Sequence, residues 1–144
     1  MSNLKSFLKE NKKKKENAFY PASENFLDDN GTPMLWEIKP LSATDNERIK
    51  EECTTIVETK DRGYKMYPKI DSKMIQVKQI VASVVFPDLL NAELQDSYGV
   101  KEPEDLVFAL LSEAGEYQNL VMFIQKYNRL NITIDEKIED AKNS

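Results

Sequence analysis

The spacing of apolar residues changes several times along this chain, and each change marks an element. Around residues 28–32 a polar stretch containing Asn30-Gly31 separates two short apolar segments, and Asn-Gly is the strongest short signal for a β-hairpin. Before it, residues 19–27 hold few strong helix formers and include Pro21, which suits an edge strand. After it, Met34-Leu35-Trp36-Glu37-Ile38-Lys39 alternates and puts Met34, Trp36 and Ile38 on one face. The pattern predicts a hairpin over 19–41 with Trp36, the single tryptophan, in the core; an interface anchor is the other reading of such a residue.

The period then lengthens. Thr44-Asp45-Asn46-Glu47 reads as a capping box, and Ile49, Cys53, Ile56 and Val57 follow at the spacing of one helical stripe. That helix is expected to end near Thr59, before Gly63. Residues 64–70, broken by Pro68, read as a loop. Asp71 can cap a further element with Met74, Val77, Ile80, Val81, Val84 and Val85 on its apolar face. Its β-branched residues keep a strand open, while its length and 3–4 spacing favour a helix.

Residues 86–117 compress two breakers and a helix start into little sequence. Pro87 is expected to end the preceding helix. A short apolar-rich segment with Leu89, Leu90, Ala92, Leu94 and Tyr98 stops at Gly99. Pro103 fits a first helical turn, and Glu104 and Asp105 suit its positive end. Leu106, Val107, Phe108, Leu110 and Leu111 then lead through a join at 112–115 into Tyr117, Leu120, Val121, Phe123, Ile124, Tyr127 and Leu130. Thr133-Ile134-Asp135-Glu136 is a second capping box, opening a charged terminal helix.

The expected fold class is α+β: a small N-terminal β-hairpin followed by a mainly α-helical bundle of four to six helices. The division expected is a basic arm over 1–18, one α+β domain over 19–131 (hairpin 19–41, helices 44–131), and a charged helix or tail over 132–144.

Composition narrows the chemistry. The chain of 144 residues has no histidine and one cysteine, Cys53. Histidine-based nucleophile pairs, the usual acid–base group at neutral pH and a zinc site are therefore disfavoured, and no disulfide can form within the chain. No apolar run approaches the roughly 20 residues that cross a bilayer, and no secretory signal core is evident, so a cytoplasmic protein is expected. Residues 1–20 carry six lysines against Glu10 and Glu16, a net +4; the total of −5 leaves −9 for the rest. An acidic body argues against a nucleic-acid face. The lysine run reads as a solvated, partly disordered arm, with a phosphate backbone or an acidic partner as the other readings.

Candidate sites mostly resolve into structure. Asp28-Asp29-Asn30-Gly31 fails the EF-hand spacing, since Gly31 in sixth place would put Phe26 in first. Glu51-Glu52 and the set Glu136, Glu139 and Asp140 read as solvated helix faces, without the apolar setting a catalytic carboxylate needs. No catalytic residue, cofactor site or metal site is expected. The run from 117 to 127 holds more than one apolar stripe, so Tyr117, Val121, Phe123 and Tyr127 are candidates for partner binding, with core packing as the alternative.

Three stretches resemble the XkdN-like phage tail assembly chaperones. They are Asp29-Asn30-Gly31-Thr32-Pro33-Met34-Leu35-Trp36-Glu37-Ile38-Lys39-Pro40-Leu41; Val85-Phe86-Pro87-Asp88-Leu89 through Glu93-Leu94-Gln95-Asp96-Ser97-Tyr98-Gly99-Val100; and Pro103-Glu104-Asp105-Leu106 with Leu110-Leu111 and Gly115-Glu116-Tyr117. Together they span roughly 19–130.

The resemblance implies a non-enzymatic assembly factor in the bacterial host cytoplasm. It would coat the helical, aggregation-prone tape measure protein, help tail tube protein polymerise around it, and be absent from the finished particle. A longer form made by a programmed frameshift is a further partner implied, along with the tail tube protein. No membrane or nucleic-acid partner is implied, and self-association is left open. The rival readings are a structural tail or tube-associated protein kept in the particle, and an acidic adaptor or inhibitor.

Overall fold

A computed structural model describes residues 3–59, 63 and 65–130 of the chain. Two short 3-10 turns, Leu4–Phe7 and Lys9–Asn11, have no buried residue and lead into the lysine run. Strand β1 (Ala18–Tyr20) pairs antiparallel with β2 (Trp36–Ile38), Tyr20 opposite Trp36 and Ala18 opposite Ile38. Between them the chain turns back over an isolated bridge from Leu27 to Pro33.

The Asn-Gly turn forms where it was read. Asp28 Oδ1 accepts from the backbone N–H of Asn30 at 2.8 Å and of Thr32 at 2.9 Å. Gly31 takes φ +79°, a conformation that glycine enters without steric cost. That carboxylate therefore organises its own turn.

Helix α1 (Ala43–Glu52) is followed by a second antiparallel pair, β3 (Thr54–Thr59) and β4 (Lys65–Ile70). Then come α2 (Ser72–Ser83), β5 (Val84–Phe86), α3 (Ala92–Ser97), α4 (Pro103–Leu110) and α5 (Ala114–Tyr127). Strand β5 joins the first sheet, whose order is β1-β2-β5, all antiparallel. Helix α2 is central, packing on α1, α4 and α5.

The core lies between sheet and helices. Trp36, Ile38 and Val84 from the sheet meet Val77 and Ile80 of α2, Leu106, Val107 and Leu110 of α4, and Leu120, Val121 and Ile124 of α5. The helix starts follow local chemistry. Asp71 accepts from the N–H of Met74, Asn91 accepts from that of Leu94, and Pro103 opens α4 with Glu104 and Asp105 in its first turn. Gly99, at φ +69°, follows α3. A buried polar contact ties α1 to α2, Gln79 Nε2 donating to Asn46 Oδ1 at 2.9 Å.

The α+β class expected from the sequence is what the fold shows, but the strands are not confined to an N-terminal hairpin. Helix α1 is capped by Ser42, whose Oγ accepts from Asp45 N at 3.0 Å, and not by Thr44. It ends at Glu52, so the stripe through Ile56 and Val57 breaks. Thr54, Thr55, Ile56, Val57 and Thr59 are β-branched, and a run of that kind fits a pleated strand better than a helix.

The stretch read as a loop is β4 from Lys65 onward, with Pro68 opposite Ile56 in a two-stranded sheet whose open edges tolerate proline. Val84 and Val85 leave the helical face assigned to them and form β5. Pro87 favours extended backbone at Phe86, and the β-branched pair favours the same. The second capping box, with Glu136, Glu139 and Asp140 and the terminal helix over 132–144, lies outside the described residues.

Candidate functional site

Helix α5 carries all four residues singled out for partner binding, and the fold sends them to three places. Val121 is buried in the core beside Leu120 and Ile124. Phe123 and Tyr127 point towards the N-terminal segment. The Phe123 ring stacks on Tyr20 of β1 with centroids 4.3 Å apart and on Tyr127 at 5.9 Å. Tyr117 points the other way, tilted against Phe108 of α4 with centroids 4.8 Å apart.

The aromatic stack is clamped by the basic arm. Lys15 Nζ lies 4.1 Å from the Tyr127 ring centroid and donates to the Tyr127 backbone carbonyl, while the Tyr127 hydroxyl donates to the Glu16 carbonyl. A lysine here meets both a π-face and the negative end of a helix. Burial, then the neighbouring Arg129, hold the Lys15 ammonium below its ordinary pKa, and burial pushes the Tyr127 phenol up. Asn128 completes this end, its Oδ1 accepting from Leu41 N at 2.8 Å and its Nδ2 donating to Ile124 O at 2.9 Å. At the other end of α5, Glu116 accepts from Glu24 N at 2.8 Å and Glu113 from Asn25 Nδ2 at 2.7 Å. The start of the chain is thus strapped along α5.

The Tyr117 side remains open. Phe108, 49% exposed, and Tyr117 line a groove of about 570 Å³ among α2, α4 and α5, floored by Leu111 and Ala114 and edged by Lys73, Gln76 and Gln118. Burial raises the pKa of the Tyr117 phenol, so the groove presents a neutral hydroxyl. A second, smaller cavity of about 170 Å³ lies beside Trp36, with Phe26, Met34, Phe86, Leu94 and Tyr98 among its walls. The groove had one hint in the sequence, the surplus of apolar residues between 106 and 127. Which of them line an opening depends on how α4 crosses α5, and no linear pattern encodes that.

Away from the openings, Lys78 is held between two carboxylates. Glu52 lies 3.7 Å and Glu104 3.3 Å from Lys78 Nζ. Burial would lower the Lys78 pKa, but the hydrogen bond its ammonium donates to Glu104 and the charges of Glu104 and Glu52 outweigh it and hold it above the ordinary value. Cys53 is buried, and burial raises its thiol pKa. Among the described residues, no group of three or more histidine, cysteine, aspartate or glutamate side chains is arranged to hold a metal ion.

The chain thus forms a strapped α+β body with two apolar openings, one among α2, α4 and α5 and one beside Trp36. Its fold is that of the crystal structure of YqbN, with a TM-score of 0.75 over 89% of this chain and 97% of that one, at 22% identity. The XkdN-like phage tail assembly chaperone family matches residues 4–142, and the chain belongs to that family. It is 26% identical over 123 residues to the phage-like element PBSX protein XkdN of Bacillus subtilis (strain 168), covering 85% of this chain and 82% of the relative. YqbN of the same strain is also 26% identical over 123 residues, covering 85% of this chain and 81% of its own. The resemblance carried by the hairpin, the 85–100 segment and the Pro103 helix therefore held.

Proposed function

We propose that the chain binds the tape measure protein of a phage or phage-derived particle, keeps it soluble, promotes tail tube polymerisation around it, and leaves before the particle is finished. The observation that carries this reading is the open groove among α2, α4 and α5, in a chain of the tail assembly chaperone family. An amphipathic helix laid in such a groove buries its apolar face against Phe108, Leu111 and Tyr117, with Lys73, Gln76 and Gln118 meeting its polar edges. The groove is open and edged by polar side chains, which suits a grip that must release as the tube grows.

Of the four α5 residues, Tyr117 meets the client directly and Val121 supports it from the core. Phe123 and Tyr127 sit under Tyr20 and the arm, and join the client surface only when the arm lifts. The tail tube protein and a longer frameshifted form belong to the same proposal as further partners, acting in the host cytoplasm.

Co-expression with the neighbouring tape measure protein, followed by size-exclusion chromatography with light scattering, tests this. A soluble complex with several copies of this chain per tape measure is expected. An insoluble tape measure with this chain eluting alone contradicts it. Mass spectrometry of purified particles should find the tape measure and miss this chain; finding the chain at stoichiometric levels would favour a structural tail protein.

A further inference from the structure

The cavity beside Trp36 is unlike the groove. It is apolar on nearly every wall, and at about 170 Å³ it exceeds the roughly 150 Å³ that suffices for a benzene ring. Its mouth is at the surface, where Phe86 and Tyr98 are exposed. The two segments that build most of it, 26–36 and 86–98, carry Asp28, Asp29, Asp88, Glu93 and Asp96 and no lysine or arginine. It is an aromatic-sized hole built mostly from two acidic segments.

The same chain carries the matching plug. Phe7, at 84%, is the most exposed large hydrophobic residue among the described residues, and Leu8 beside it is exposed too. Residues 3–15 hold six lysines against one glutamate. The clamp of Lys15 and Glu16 on Tyr127 fixes the base of this arm, and neither 3-10 turn beyond it has a buried residue. The arm enters the sheet at Ala18, beside Ile38, whereas the cavity lies past the other end of β1, where Tyr20 meets Trp36. Within one chain, Phe7 stays in solvent.

We propose that the Phe7 ring of one copy seats in the Trp36 cavity of a second copy, with the lysines of the arm lying over its acidic surround. Arm and cavity are different surfaces, so the contact is heterologous: each copy uses its arm on one neighbour and offers its cavity to another. Such contacts close into a ring or run on as a chain of copies. Several copies lined up this way would present their α2–α4–α5 grooves in series, independently of what the grooves bind.

Sedimentation velocity on the full chain over a range of concentrations tests the contact. Wild-type mass should rise with concentration, less so at high salt because the charges are exposed and screened. Phe7→Asp should weaken association by roughly tenfold or more, the loss expected when one aromatic anchor is withdrawn. Because Phe7 packs on no core, thermal stability should stay unchanged. The triple variant Lys12→Glu, Lys13→Glu, Lys14→Glu should weaken association as well, and mixing it with Glu93→Lys, Asp96→Lys should restore it. A wild type that is monomeric throughout overturns the proposal, as does a Phe7→Asp variant that associates like wild type. A monomer whose tryptophan emission shifts on Phe7→Asp also overturns it, since the arm would then fill its own cavity.

Discussion

Tyr20 on β1 and Phe123 on α5, more than 100 residues apart in the chain, stack with ring centroids 4.3 Å apart and planes 18° from parallel. The contact is where the N-terminal strand is held to the C-terminal helix, and Tyr127 extends the stack beneath Lys15. Phe123→Ala should cost about 3 kcal/mol, the low end for truncating a packed aromatic, because Phe123 is only partly buried. Combining it with Tyr20→Ala in a double-mutant cycle should return a coupling of about 1 kcal/mol. Additive losses in denaturant melts would mean that the rings touch without stabilising one another.

Trp36 is 2% exposed and opposite Tyr20 in the sheet. Trp36→Ala should lower stability by about 3–5 kcal/mol, as expected for emptying a large core site. Its emission in the native protein should be blue-shifted, and it should move to the red on unfolding. Unchanged thermal stability in the variant would remove Trp36 from the core.

Stability should fall at alkaline pH. Burial pushes the Tyr127 phenol above its ordinary 10.0, and contacts with Glu104 and Glu52 hold Lys78 above its ordinary 10.5 against the opposing effect of burial. A group whose folded pKa is raised binds more protons folded than unfolded in the interval between, so its contribution is complete below the unfolded value and lost as pH rises through the folded one. Lys15, lowered from 10.5 by burial and then by Arg129, works in the opposite sense. Burial also raises the Tyr117 phenol and the Cys53 thiol, so four groups stand against one; the melting temperature should drop above pH 10, and Tyr127→Phe with Lys78→Met should reduce that slope. A melting temperature that is level or rises above pH 10 in the wild type would show that these contacts do not govern it.

Elements set by local chemistry were legible in the sequence. The Asn30-Gly31 turn, the alternation through Trp36 and Ile38, the Asp71 cap, the Pro103 start and the join before α5 all formed where their residues indicated. Two of the failures share one cause, a helical spacing read through residues that prefer strands. Ile56 and Val57 kept the stripe of Ile49 and Cys53, yet they sit in a β-branched run whose partner strand lies across Gly63. Val84 and Val85 likewise continued the face of Val77 and Ile80, and β2 captured them as a third strand.

The candidate site was legible only as a surplus of apolar residues. That Phe123 and Tyr127 are covered while Tyr117 is open depends on the path of β1 and the Lys15 clamp, and both are contacts between opposite ends of the chain.

The central claim is that the groove beside Tyr117 takes the tape measure protein. A photo-crosslinking amino acid placed at position 117, and as a control at Glu47 on the exposed face of α1, tests it in cells that co-express both proteins. Irradiation should join position 117 to the tape measure, in peptides from its helical repeats, and leave position 47 unlinked. A complex that forms and yet links equally from both positions, or from neither, would contradict the groove as the binding site.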